Sequence, residues 1–190
     1  MSLLTPTNRP RLVPELPLPP YSYVPGRWPH PHSDPAGHWF GKPIERSAPL
    51  DPDHWEQSRA YRYGIDLFNH GYYWEAHEVW EGLWHAAGRR GPVADFLKGL
   101  IKLAAAGVKV REGKPHGAVH HATRAAELFG QLAQQRGGPG DRFLGLSLHE
   151  LINYTDAIGR AAFSCQSDPV AEVKRVFDFI LQPVSGGEGP

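Results

Sequence analysis

Beyond residue 50 the apolar positions recur at helical rather than strand spacing. Asp51-Pro52 has the form of an N-cap followed by proline at the first helical position. Trp55, Tyr61, Ile65 and Phe68 then repeat near the helical period until Asn69-His70-Gly71 stops the element. A second helix is predicted from about Tyr72 to Ala87, with Ala76, Val79, Trp80, Leu83, Trp84 and Ala87 forming one buried stripe. Gly88 to Gly91 breaks it, and Pro92 opens a third. There Val93, Phe96, Leu97, Leu100, Ile101, Ala104 and Val108 face inward, with Lys98, Lys102 and Lys109 on the wet side. Gly99 and Gly107 lower the propensity of this helix, which points to close approach by a neighbour. After Glu112-Gly113-Lys114-Pro115, the set Ala118, Ala122, Ala125, Ala126, Phe129, Leu132 and Ala133 makes a small-faced fourth helix, ended by Gly137-Gly138-Pro139-Gly140. Ser147-Leu148-His149-Glu150 has capping-box spacing and opens a fifth, with Leu148, Leu151, Ile152 and Ile158 inward. Asp168-Pro169 reads as one more helix start, and Val173 to Leu181 fits helix or extended chain equally. Short connections favour antiparallel neighbours, so the expected fold is all-α, a compact bundle of about five or six short helices that needs no strand pair.

The first fifty residues break this pattern. Most of the nineteen prolines fall there, a density that forbids helix and favours extended or polyproline conformations. Residues 1–50 are therefore expected to form an N-terminal arm and residues 51–190 the helical domain. The first twenty or so residues of the arm lack large side chains other than leucine and are expected to be poorly ordered. Tyr21, Tyr23, Trp28, Trp39 and Phe40 should instead pack the second half of the arm on the bundle.

Composition narrows the setting. A chain of 190 residues with 41% hydrophobic content supports one core. Twenty basic and twenty acidic residues cancel, which argues against nucleic acid and anionic membranes as partners. The single cysteine, Cys165, has no disulfide partner in the chain, and no basic-then-apolar leader or apolar run of ~20 residues is evident. A cytoplasmic protein is expected.

On a helical wheel His77, Glu81 and His85 form a ridge at the border of the second helix's apolar stripe, with His77 the more buried end. Glu75 and Glu78 lie farther round, near Trp74. Spacing of i, i+4 brings His77 and Glu81 to one point, as two metal ligands or an oriented acid–base pair. The blander alternative is a buried His–Glu network that fixes packing. The run His77-Glu78-Val79-Trp80-Glu81 is not the zinc-protease motif, because Glu81 stands where that motif has its second histidine. Nor is it the Glu-x-x-His of di-iron bundles, because Trp84 follows Glu81 at the third place. His116 and His120 form another i, i+4 pair with His121 beside them, able to complete a metal site across the bundle, or simply exposed with His121 a satisfied boundary residue. In the arm, His30, His32 and His38 are candidate ligands, and Arg27 could clamp an anion or pair with a glutamate. No phosphate loop, nucleophile elbow or dinucleotide fingerprint is present.

The run from Phe68 to Trp84, Phe-Asn-His-Gly followed by Glu-Ala-His-Glu and Trp-Glu-Gly-Leu-Trp, resembles the bacterial and archaeal family called domain of unknown function 309. Phe96 to Ala106 and Gly117-Ala118 extend the resemblance, which covers about Tyr61 to Phe129. The arm's Pro-Gly-Arg-x-Pro-His-Pro run is similar to an N-terminal extension of some members. The resemblance implies a compact multihelical fold with no established activity. It carries over Glu75, His77, Glu78, Glu81 and Trp84 as site positions, to which Trp80 is added from the same stripe, whereas His85, His116 and His120 rest on spacing alone. Two functions follow as expectations. One is a small-ligand or structural role centred on the His/Glu network, compatible with a homodimer. The other is a metal-dependent, hydrolase-like enzyme in which His77, Glu78 and Glu81, with an arm histidine such as His30 or His38, hold a divalent cation.

Overall fold

The computed structural model describes residues 9–43, 47–136, 142–164 and 172–185. Cys165, the glycine-rich break at 137–140 and the Asp168-Pro169 start lie outside the described residues. The elements in chain order are a single 3-10 turn Trp55–Gln57, α1 Arg59–Asn69, α2 Tyr73–Ala86, α3 Pro92–Arg111, α4 Pro115–Arg136, β1 Arg142–Phe143, β2 Leu146–Ser147 and α5 Leu148–Ser164. Each helix packs mainly on its neighbours in sequence. The result is the all-α bundle that the periodicity predicts.

Helix α1 starts later than Asp51 because two side chains near its start do different things. Asp51 Oδ1 accepts from the N–H of Asp53 at 2.9 Å and its other oxygen pairs with His54, an Asx turn that bends the chain. Ser58 is the residue that caps, its Oγ accepting from Tyr61 N–H at 3.3 Å. Ser147 likewise accepts from Glu150 N–H at 3.3 Å at the start of α5. The sequence pattern missed the hairpin before α5. Arg142 pairs with Ser147 and Phe143 with Leu146, through a turn in which Leu144 and Gly145 both take positive φ, 50° and 79°. That is the type I′ geometry, but leucine replaces the asparagine or aspartate that would have signalled it.

The core runs between α2, α3 and α4 and includes Trp80, Phe96, Leu97, Leu100, Leu103 and Phe129, none measurably exposed. Tyr73 lies against Gly107 and Phe129 against Gly99, and at both glycines a Cβ would overlap the ring. These contacts fix the register of α2 and α4 on α3.

Residues 9–24 and 172–185 lie along the bundle. Residues 172–185 form neither helix nor strand. They are held by the Asn69 amide, which donates to Leu181 O and accepts from Leu181 N–H, each at 2.8 Å, and by Tyr73 OH, which accepts from Val176 N–H at 2.9 Å. In the N-terminal segment Arg9 donates to Asn69 O and Phe177 O, and the N–H groups of Leu12 and Val13 donate to the buried Asp66 carboxylate at 2.7 and 2.8 Å. Val13 and Val24 are fully buried. Among the described residues no helix is long and apolar enough to cross a membrane.

Candidate functional site

Helix α2 carries two polar groups on different flanks. The first centres on Glu75 in its opening turn, where a carboxylate also suits the helix dipole. Glu75 has no solvent exposure. Its Oε1 accepts from the N–H of Tyr23 at 2.8 Å and lies 3.6 Å from His38 Nε2. Glu75 Oε2, both ring nitrogens of His38 and the indole nitrogen of Trp28 are buried without a hydrogen-bond partner among the described residues. Burial pushes the Glu75 carboxyl up to about 7, against the Tyr23 N–H and the Arg111 charge, which favour the ionised form. Burial also holds His38 down at about 4, with Lys42 and His32 adding to the effect. Both charged forms are disfavoured, so the pair prefers a neutral acid beside a neutral imidazole. Aromatic rings close the surroundings: Tyr21 and Trp39 lie 4.6 and 5.0 Å from the His38 ring, and Tyr23 and His30 lie 5.0 and 5.3 Å from Trp74.

The wheel placed Glu75 far from the core and His77 closer in, and the structure reverses this order. The N-terminal segment covers the Glu75 flank, whereas the His77 side chain keeps 27% of its exposure. A helical wheel sees one helix and cannot register a cover supplied by non-helical chain.

The second group is His77, Glu78 and Glu81, all half-buried. One ligand atom from each lies within 4.8 Å of the others, the only such trio of His, Cys, Asp and Glu among the described residues. His77 Nδ1 and Glu78 Oε1 share a hydrogen bond of 3.3 Å, a separation also close to the ~3.4 Å between two ligands each about 2.1 Å from a tetrahedral ion. The i, i+4 relation supplies Glu81, and partial exposure leaves one side for water or a further ligand.

The other predicted positions fall elsewhere. Trp80 is core, with Gly64 against its ring and its indole N–H 3.5 Å from Tyr61 O. Trp84 is half-buried beside the Arg89 guanidinium, 5.6 Å from the ring centre. His85 Nδ1 accepts from Arg89 Nε at 2.9 Å. His30 closes a turn, its Nδ1 accepting from the N–H groups of His32 and Ser33, both at 3.3 Å. Neither His30 nor His38 joins the His77 trio. Arg27 donates to Arg111 O at the end of α3 rather than to a carboxylate. His116 and His120 are exposed, but His121 is not a satisfied residue, because its buried Nδ1 has no partner among the described residues. Sequence reasoning also missed Asp66, Asn69 and Arg111, which are buried and polar. Asp66 carried a signal, a charge between Ile65 and Leu67 on the apolar side of α1.

Residues 61–121 match the family described as Domain of unknown function (DUF309). The matched stretch runs from Tyr61 in α1 to His121 in α4, takes in Glu75 and the His77 trio, and leaves out the N-terminal segment with His30 and His38. Over that stretch the chain resembles the family. No curated protein matches the chain.

Proposed function

We propose that the protein is a divalent-cation-binding helical bundle in which His77, Glu78 and Glu81 hold the ion, and that its chemistry is metal-assisted hydrolysis. The observation that carries the reading is the convergence of one imidazole and two carboxylates on a partly open point. Core packing does not require this, since all three side chains are only half-buried. A mixed nitrogen and oxygen set suits zinc, manganese or iron better than calcium. Three protein ligands with an open side are the pattern of catalytic rather than structural sites. A zinc ion held there would bring a bound water to a pKa of roughly 7 and so supply hydroxide at neutral pH.

The structural role expected for a His/Glu network falls, in this reading, to Glu75 and His38 on the other flank. Their contacts tie the N-terminal segment to α2, and the closed surroundings favour packing there over turnover. The two functions read from one motif thus belong to two sides of one helix.

Elemental analysis of untagged protein, followed by zinc and manganese titration of the chelator-treated chain, tests the metal reading. About one equivalent of metal is expected, lost in His77→Ala and weakened roughly tenfold or more in Glu81→Gln. No stoichiometric metal in the parent chain, in either experiment, would overturn it.

A further inference from the structure

Gly107 lies against Tyr73, so α3 runs back along α2 with Leu103 at about the level of His77. The opposite face of α3 is aligned by Gly99 against Phe129 and by the Lys109 stem over Gly117, where a Cβ would sit 3.3 Å from Lys109 Cδ. That register puts His121 of α4 at about the level of Ala105, between Lys102 and Lys109. The helix carrying both lysines is flanked by His77 on one side and His121 on the other.

The electrostatics agree with this placement. Burial holds His121 down at about 4, and Lys102, His120, Lys109 and His77 are each close enough to oppose its protonation further. A neutral imidazole with a buried, unpartnered Nδ1 therefore sits among cationic side chains. Lys109 already has a carboxylate, its Nζ lying 2.9 Å from Glu112 Oε2, and its stem is seated on Gly117. Lys102 is half-buried and has no carboxylate partner among the described residues.

We infer that the flank formed by Lys102 and His121 recognises an oxyanion, of the phosphate or phosphomonoester class, as the substrate group presented to the cation at His77, Glu78 and Glu81. The inference rests on the metal reading, and charge balance shows why. Glu78 and Glu81 alone would repel an anion, whereas a divalent cation neutralises them and leaves the Lys102 charge uncompensated. Lys102 supplies a charge-assisted donor and neutral His121 one N–H, while the ion takes a remaining oxygen.

Inorganic phosphate is the probe. Its binding to the full chain is followed by 31P relaxation with manganese bound and by calorimetry on the chelator-treated chain, for the parent, Lys102→Gln and His121→Gln. Circular dichroism checks that each variant keeps its helices. With manganese bound, phosphate is expected to show strong paramagnetic relaxation. Each variant should weaken it roughly tenfold, the scale of one lost charge-assisted contact, with manganese stoichiometry unchanged. Manganese binding with phosphate that ignores both substitutions would overturn the inference and leave the metal reading standing. If the parent chain takes up no manganese, the metal reading falls. Phosphate binding to the chelated chain that is lost in Lys102→Gln would then sustain the anion site alone, and its absence would overturn that too.

Discussion

Asp66 and Glu75 are both carboxylates with no solvent exposure, and the difference between them is the number of donors each meets. Asp66 accepts from two backbone N–H groups and from Arg11 Nε, so its charge is well compensated. Glu75 has Tyr23 N–H on one oxygen and no hydrogen-bond partner on the other among the described residues, and the neutral form is favoured. Linkage gives the pH consequence. Raising Glu75 from 4.5 to about 7 makes the folded state bind its proton more tightly, so that contribution to stability is full below pH 4.5 and is lost as pH rises to 7. Lowering His38 from 6.5 to about 4 does the reverse, a contribution full above pH 6.5 and lost as pH falls to 4. Between about pH 4.5 and 6.5 the slopes oppose, because folding moves one proton from imidazole to carboxyl without changing the number bound. Urea unfolding at steps across this window should therefore show variants that diverge from the parent. Glu75→Gln should gain stability with rising pH relative to it, and His38→Asn should lose stability, each by on the order of 2–3 kcal/mol over the window. Variant curves that run parallel to the parent would refute the proton transfer.

At the scale of elements, close helix approach makes a sharp test. A Cβ on Gly107 would lie as near as 2.5 Å to the Tyr73 ring, whereas one on Gly130 would meet nothing within 4 Å. Both glycines are helical, so alanine offers each the same gain of about 1 kcal/mol in propensity. At Gly107 overpacking of ~1–3 kcal/mol works against that gain. Gly130→Ala should raise the urea midpoint and Gly107→Ala lower it; a midpoint raised by both would refute the close approach. The sequence reading foresaw tight contact at Gly99 and Gly107, because a propensity defect inside a strong apolar stripe needs a packing reason. It found the helices for the same cause, a core face that repeats every 3.6 residues. It misplaced the start of α1, where Asp51 and Ser58 compete as caps, and it missed the hairpin at Leu144-Gly145, whose turn lacks the usual residues. The trio His77, Glu78 and Glu81 was legible because it lies within one helix. The burial of Glu75 and the position of His121 were not, since one depends on the N-terminal cover and the other on the register of three helices.

For the whole molecule, the end segments turn a stack of helices into a closed body, and the motif on α1 and α2 divides accordingly. Phe68 stacks on Phe177 at 5.9 Å, Asn69 bonds Leu181 in both directions, and Tyr73 accepts from Val176. Gly71, at φ +92°, takes a conformation that strains other residues, and a Cβ there would lie 2.9 Å from Lys174 O. Phe68, Asn69, Gly71 and Tyr73 of the Phe-Asn-His-Gly-Tyr-Tyr run are thus accounted for by the C-terminal segment, and Trp80 by the core. Of the polar residues in the motif, Glu75 faces the N-terminal segment, and His77, Glu78 and Glu81 are the ones that this packing leaves over. Asn69→Ala separates the two parts. It removes both bonds to Leu181 and leaves the buried Leu181 N–H and C=O unpaired, at a cost of about 2–3 kcal/mol for two modest hydrogen bonds. Hydrogen exchange should accelerate over residues 173–181 and stay nearly unchanged in α3 and α4, while the metal titration of the variant matches that of the parent. A variant that loses metal together with its C-terminal protection would show that the trio depends on the clasp, and would end the division of the motif into a structural half and a chemical half.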